Sequence, residues 1–268
     1  MKEVKRHYDK RSENYDEVFG TLYFNVYDAV TWKYLEPYIP TSPDALILDA
    51  GGGTGRWAIR MAAKGCRVVL VDASDGMLDA ADRKVKEEKL QNKITLKKGD
   101  ITRLDYADEV FDMVLCEHAL FLFKEPDNVI CELKRVLKKN APLIISAQNR
   151  YVQSLSAISE KPSAGNISWA SKVLVGEEHE CMSKDNKVTV HTWTPQEFRT
   201  MLERNGLRVE KMIGKALTMP LRIKQEIYSK RKFSEDLFNE ILKFEYTLCE
   251  NPDSFALAGH LQAVAFKI

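Results

Sequence analysis

Residues 45–55 read Ala-Leu-Ile-Leu-Asp-Ala-Gly-Gly-Gly-Thr-Gly, and this stretch constrains the fold more than any other. Leu46, Ile47 and Leu48 form a short apolar run suited to a buried strand. Asp49 ends it, and Gly51, Gly53 and Gly55 then occupy alternate positions before an apolar helical segment. A strand, a glycine turn and a helix N-terminus bring backbone close to a bound ligand. The spacing is Asp-x-Gly-x-Gly-x-Gly. A dinucleotide fingerprint would place its third glycine at position 56, which is Arg56. No Gly-Lys-Ser/Thr ending follows either, so the phosphate cradle of P-loop proteins is absent.

Working outward, Val68–Val71 is a second apolar strand that ends in Asp72. A third, Ile94 to Lys97, precedes Gly99-Asp100-Ile101. A fourth, Val110 to Cys116, precedes Glu117 and His118. The spacing predicts strand 45–50, helix 54–64, strand 67–71, helix 75–89, strand 94–98, strand 111–116, helix 126–138 and strand 142–147. Helix 126–138 rests on the stripe Val129, Ile130, Leu133, Val136 and Leu137, with Pro126 in a first turn that tolerates it. Met77, Ala81 and Val85 form a similar stripe after Ser74, a candidate N-cap. Strand–helix units with nearly all-apolar strands imply a parallel sheet covered on both faces.

Regularity lapses at 148–186, a polar stretch with a weak helical signal near 166–175. Its length suits a lid or small cap better than a plain loop. Strand 187–192, helix 195–205 and strand 207–213 follow. A charged helical segment, 219–247, then leads to a last strand, Gln262–Lys267. At the other end, residues 1–38 are polar and aromatic, with Tyr8 and Tyr15 on one helical face.

The glycine spacing and the ordered landmarks across residues 46–118 resemble the class I S-adenosylmethionine-dependent methyltransferases, with 49–55 in the place of their motif I. Similarity to the ubiquinone/menaquinone-type small-molecule methyltransferases runs through residues 46–147. A looser one, through Asp49-Ala50-Gly51-Gly52-Gly53 and the tail Glu245-Tyr246-Thr247-Leu248-Cys249 … Gly259-His260, points to the tRNA 5-carboxymethoxyuridine methyltransferases. The resemblance implies an α/β, Rossmann-like fold: a seven-stranded, mostly parallel sheet with helices on both faces and a helical or loop lid. It also implies an N-terminal helical cap over 1–40 and a methyltransferase domain over 41–268, with insertions at 148–186 and 217–249. The final two strands are expected to pair antiparallel at the sheet edge.

Composition narrows the partners. Forty basic residues against 39 acidic leave a net charge of +1, which disfavours a non-specific nucleic-acid binder. The basic run Arg222, Lys224, Lys230, Arg231 and Lys232, interleaved with Tyr228 and Phe233, is the place where nucleic acid would bind. Of the nine residues after Met1, six are charged, and no apolar run approaches ~18 residues. Neither a signal peptide nor a membrane span is therefore expected. Five scattered cysteines without a Cys-x-x-Cys pair suit a reduced, cytoplasmic protein, and no metal or iron–sulfur site is expected.

The candidate site follows from these landmarks. Gly51, Gly53 and Gly55 either make a bare turn or, as three alternate glycines favour, cradle a ligand. The resemblance implies that the amino-acid portion of S-adenosylmethionine lies against this loop, with Asp49, Met77 and Glu117 also facing the cofactor. Asp72 can accept two hydrogen bonds from ribose hydroxyls, or cap a helix beside Ser74. By the resemblance, Asp100 and Ile101 meet adenine; otherwise they form an ordinary turn. His118 is a candidate general base or a packing histidine. Arg150 is a candidate clamp for an anionic substrate, or a solvated cation. Tyr8, Tyr15, Asn149, Tyr151, His191 and Trp193 are expected near the mouth. The expected activity is methyl transfer to a small molecule by in-line displacement. The alternatives are a carboxylate-bearing tRNA uridine as acceptor, and a non-catalytic protein that only binds the cofactor.

Overall fold

The computed structural model describes residues 2–160, 163–177, 179–182, 187–218 and 232–268. The chain opens with α1 (Lys2–Arg11), a 3-10 turn (Tyr15–Gly20) and α2 (Leu22–Lys33). The alternation follows: β1 (Leu46–Ala50), α3 (Arg56–Ala63), β2 (Arg67–Asp72), α4 (Asp75–Glu87), β3 (Ile94–Lys98), β4 (Met113–Cys116), α5 (Pro126–Val136) and β5 (Pro142–Gln148). The C-terminal half holds α6 (Arg150–Glu160), α7 (Ala164–Leu174), β6 (His179–Met182), β7 (Lys187–Val190), α8 (Pro195–Arg204), β8 (Leu207–Lys215), α9 (Glu235–Leu248) and β9 (His260–Lys267). Seven strands make one sheet in the order β3-β2-β1-β4-β5-β9-β8. β9 runs antiparallel to both β5 and β8, and the remaining pairs are parallel, as the sequence reading expects.

Period-two alternation puts successive strand residues into opposite faces of this sheet. Leu48, Val69, Val71 and Val114 enter one core with Val129, Ile130 and Leu133 of α5 and Phe198 of α8. Ile47, Val68, Leu70 and Met113 enter the other with Trp57 and Met61 of α3 and Val85 of α4. Both faces are thus covered, which is why the strands read as continuous apolar runs.

Two elements depart from expectation. The 148–186 stretch contains two helices, α6 and α7, where the sequence offers one weak signal. Ser163 caps α7 by accepting from the Asn166 amide at 3.1 Å. The strand expected at 187–192 is β7, and it pairs with β6 in a separate two-stranded ribbon outside the main sheet. Of the helical segment expected at 219–247, residues 219–231 lie outside the described residues, and the helix proper is α9. The same applies to Arg222, Lys224, Tyr228, Lys230 and Arg231. α9 packs on α2 through Ile241 against Leu22 and Val26. Its buried Glu245 accepts from the Leu217 and Thr218 amides at 3.1 and 2.8 Å, which fastens the end of β8.

Candidate functional site: a pocket at the strand ends

The C-terminal ends of β1, β2, β3 and β4 open into a pocket of about 880 Å³, mouth included, within the ~300–1,000 Å³ usual for small ligands. Its floor is the glycine loop. The Gly51 and Gly52 amides donate to the Val71 carbonyl at 2.8 and 3.3 Å, which pins the loop onto β2. Gly51, Gly53 and Gly55 all have positive φ, +72°, +54° and +79°, a region that glycine enters without a Cβ clash.

The three glycines differ in what surrounds them. A Cβ at Gly51 would lie 2.7 Å from Ala119 Cβ, whereas one at Gly53 would meet nothing within 4 Å. Gly53 therefore leaves a cradle in the pocket wall that a side chain would fill. Gly55 stands apart from the wall. It is the left-handed N-cap of α3, and a Cβ there would sit 3.3 Å from Ala81. Its need for glycine is structural, which corrects the expectation of a ligand contact.

Asp49 also stands apart from the wall. It is almost wholly buried and accepts from the Ala58 amide at 3.1 Å, so it anchors α3 to β1. Burial, with Asp72 adding repulsion, pushes its carboxyl up to about 7, against the hydrogen bond from Ala58. The expectation of direct cofactor contact is corrected here as well: the carboxylate is spent on backbone beneath the loop.

The remaining expected contacts line the pocket: Gly51, Gly53, Asp72, Met77, Asp100, Ile101 and Glu117, with His118 beside them. Asp72 Oδ2 accepts from the Gly53 amide at 2.9 Å and Oδ1 from the Ser74 amide at 2.8 Å. Burial raises its pKa despite these bonds. Ser74, not Asp72, caps α4, accepting from the Met77 amide at 3.2 Å. Asp100 Oδ1 takes both the amide and the hydroxyl of Thr102, at 2.9 and 2.8 Å.

Glu117 is more constrained than its neighbours. Its side chain is 1 % exposed, and Oε1 accepts from both Tyr27 Oη and, at 2.7 Å, Lys215 Nζ. Oε2 has no hydrogen-bond partner among the described residues. His118 follows with φ +61°, uncommon for a non-glycine residue. Its Nε2 lies 3.1 Å from His260 Nε2, so one ring donates to the other. Burial lowers His118 to about 4, outweighing the attraction of Glu117, and keeps the imidazole neutral.

Arg150 lies away from the pocket. Its guanidinium donates to Glu197 Oε1 at 2.7 Å and to the Thr192 carbonyl at 3.0 Å, and packs on Gly176. It ties α6 to the segment before α8, so the reading as an anion clamp is withdrawn. Trp193 is a core residue, and Asn149 is buried with its amide on the Phe255 and Ala258 carbonyls. Neither they nor Tyr151 and His191 line the pocket.

Tyr8 and Tyr15 do line it, joined by Lys5 of α1 and by Phe19. Asp9 latches α1 across the pocket edge: Oδ1 accepts from Ser74 Oγ at 2.6 Å and from the Gly76 amide at 3.2 Å. Lys5 Nζ pairs with Asp75 at 2.9 Å. Arg56 was read in the sequence only as the residue that breaks a dinucleotide motif. It packs over the Phe19 ring at 3.7 Å and pairs with Asp28. Lys215 and His260 were missed: each sits at the end of a strand that carries other basic residues, Arg208 and Lys211 in β8 and Lys267 in β9, so nothing in the sequence singles it out. The same holds for Tyr27.

The residues present fit S-adenosylmethionine. The space beside Gly53 and the Glu117 oxygen without a partner among the described residues give one pocket both room and hydrogen-bonding capacity.

Comparison with known proteins agrees. Residues 48–145 match the family model described as a methyltransferase domain. The chain is 27% identical over 204 residues to the demethylmenaquinone methyltransferase of Bacteroides fragilis, covering 74% of this chain and 77% of that protein. It is 23% identical over 269 residues to the tRNA 5-carboxymethoxyuridine methyltransferase of Escherichia coli K12, covering 98% and 96%. A crystal structure of an S-adenosylmethionine-dependent methyltransferase from Methanosarcina mazei superposes with TM-score 0.57 at 16% identity, over 88% of this chain and 97% of that one. The chain thus carries a methyltransferase domain over residues 48–145 and is similar to S-adenosylmethionine-dependent methyltransferases over most of its length.

Proposed function

We propose that this enzyme transfers the methyl group to a small-molecule acceptor held in the same pocket, by in-line displacement and without a metal ion. The carrying observation is the pocket's partly apolar lining. Tyr8, Tyr15 and Phe19 from the N-terminal segment line it together with Leu122 and Phe123. Such walls suit a compact, partly apolar acceptor. S-adenosylmethionine, when bound, supplies a methyl carbon on a sulfonium, a leaving group that needs no Lewis acid. The chain's task is position: two reactants held in line can account for several kcal/mol of the barrier.

In this reading the Gly51–Gly53 backbone and Glu117 Oε2 receive the amino-acid portion. Asp72 accepts from the ribose hydroxyls, exchanging its Gly53 bond for them. Met77 and Ile101 pack on the base, and Asp100 meets its amine. His118, neutral and in the pocket lining, can take up a proton from an acceptor hydroxyl at Nδ1 in the tautomer whose Nε2–H donates to His260. A base this weak suits a proton that loosens only as the new bond forms.

A second reading has one specific support. The tRNA-modifying relative aligns over nearly the full length of both chains. A carboxylate acceptor would need no base. Incubation with methyl-labelled S-adenosylmethionine and fractionated cell extract decides between them. Label in the small-molecule fraction supports the proposal, and label in RNA favours the second reading. Cofactor binding without transfer to any fraction would indicate a non-catalytic binding protein.

A further inference from the structure

Glu117 carries two donors on one carboxylate oxygen and none, among the described residues, on the other. Buried polar atoms are seldom left bare. The bare oxygen belongs to a residue of the pocket wall, and the loaded one faces away, toward α2 and the β8 end. The load is built from two distant elements: Tyr27 comes from α2 and Lys215 from β8. Lys215 is fully buried, with Nζ also on Thr31 Oγ1 at 3.1 Å and 4.2 Å from the centroid of the Tyr27 ring. It does not line the pocket.

We infer that Lys215 is a positioning residue: it acts through Glu117, fixing that side chain as an ionised acceptor whose free oxygen binds a donor group of the methyl-donor cofactor. Burial alone would push the Glu117 carboxyl up. The Lys215 ammonium, with the hydrogen bonds from Lys215 and Tyr27, brings it below the usual carboxylate range instead. Among the described residues, the wider surroundings do not supply a substitute. Asp28 of α2 and Asp49 of β1 oppose the negative charge, as does ionisation of the adjacent Cys116. His118, whose charged form would favour it, is held neutral, as is His260 of β9. Arg56 of α3 is engaged by Asp28. Lys215 is thus the cation in hydrogen-bond contact.

A purely structural Lys215 would stabilise the joint between β8 and α2 and leave cofactor affinity indifferent to pH. A positioning Lys215 makes affinity depend on the protonation of Glu117 once it is removed. The inference rests on the proposed seating of the cofactor in this pocket, which Asp72→Ala tests separately.

The experiment is calorimetric titration of the full chain with S-adenosylhomocysteine from pH 6 to pH 9. The wild type is the reference at each pH, because Asp49, held up at about 7, titrates in it and in the variants alike. Lys215→Met should bind about tenfold or more weakly at pH 6, since one charge-assisted hydrogen bond is at stake. It should recover toward wild type as pH rises and Glu117 regains its charge. Glu117→Gln should bind weakly at every pH, and Lys215→Met should add nothing to it. Tyr27→Phe, a milder change, should shift affinity in the same direction as Lys215→Met and serves as the test if the latter does not fold. Wild-type affinity in Lys215→Met and Tyr27→Phe, or a loss equal at all pH values, would overturn the inference. Unchanged binding in Asp72→Ala would instead overturn the seating of the cofactor.

Discussion

At the scale of single residues, Gly51 and Gly53 share a positive φ but not a neighbourhood. Replacing Gly53 by Ala should cost only the left-handed backbone strain, about 1–2 kcal/mol, because no atom lies within 4 Å of the new Cβ. Gly51→Ala adds an overlap with Ala119 Cβ at 2.7 Å, and overpacking costs about 1–3 kcal/mol more. Thermal melts should therefore rank Gly51→Ala clearly below Gly53→Ala, and equal melting temperatures would contradict the loop geometry. This distinction was invisible in the sequence, where both are glycines of one motif. The acids show the same limit. Asp49, Asp72 and Glu117 all end strands, yet only the fold reveals that Asp49 is consumed by the Ala58 amide while Asp72 and Glu117 reach the pocket.

At the scale of elements, α1 is held to α4 by a polar latch rather than an extended apolar face. Asp9 receives Ser74 Oγ and the Gly76 amide, and Gly76 has no room for a Cβ, which would lie 2.6 Å from Ser12 Oγ. Such a latch can open for ligand exchange without breaking a core. Hydrogen exchange in residues 2–20 should slow when S-adenosylhomocysteine binds, and Asp9→Ala should speed it in the free protein. Identical exchange in both proteins, with and without ligand, would show that α1 is fixed structure. Tyr8 and Tyr15 could be placed on one helical face from their spacing, but the latch joins residues 65 apart in the chain, beyond the reach of periodicity. Strands β1 to β5 were legible because a parallel sheet writes itself as apolar runs. α6, β6 and the pairing of β7 with β6 outside the main sheet were not, since the 148–186 stretch is polar and carries no clear period.

At the scale of the whole molecule, the sheet order brings the ends of β1, β2, β3 and β4 to one edge, while β8 and β9 deliver Lys215 and His260 behind Glu117 and His118. The pocket residues at the strand ends were therefore readable from motif spacing. Lys5, Arg56 and Phe19, which also line the pocket, were not, because no fixed pattern marks them. A net charge of +1 gives no general attraction to phosphate backbones, in keeping with a small acceptor. No helix among the described residues is long and apolar enough to cross a membrane. Everything proposed depends on the methyl donor lying against the Gly51–Gly53 loop. Calorimetric titration of the wild type and of Gly53→Val, with S-adenosylhomocysteine and with NAD, tests that directly. The wild type should bind S-adenosylhomocysteine and not NAD, and the folded Gly53→Val protein should bind neither, its side chain filling the cradle. Undiminished S-adenosylhomocysteine affinity in Gly53→Val would contradict the placement of the cofactor.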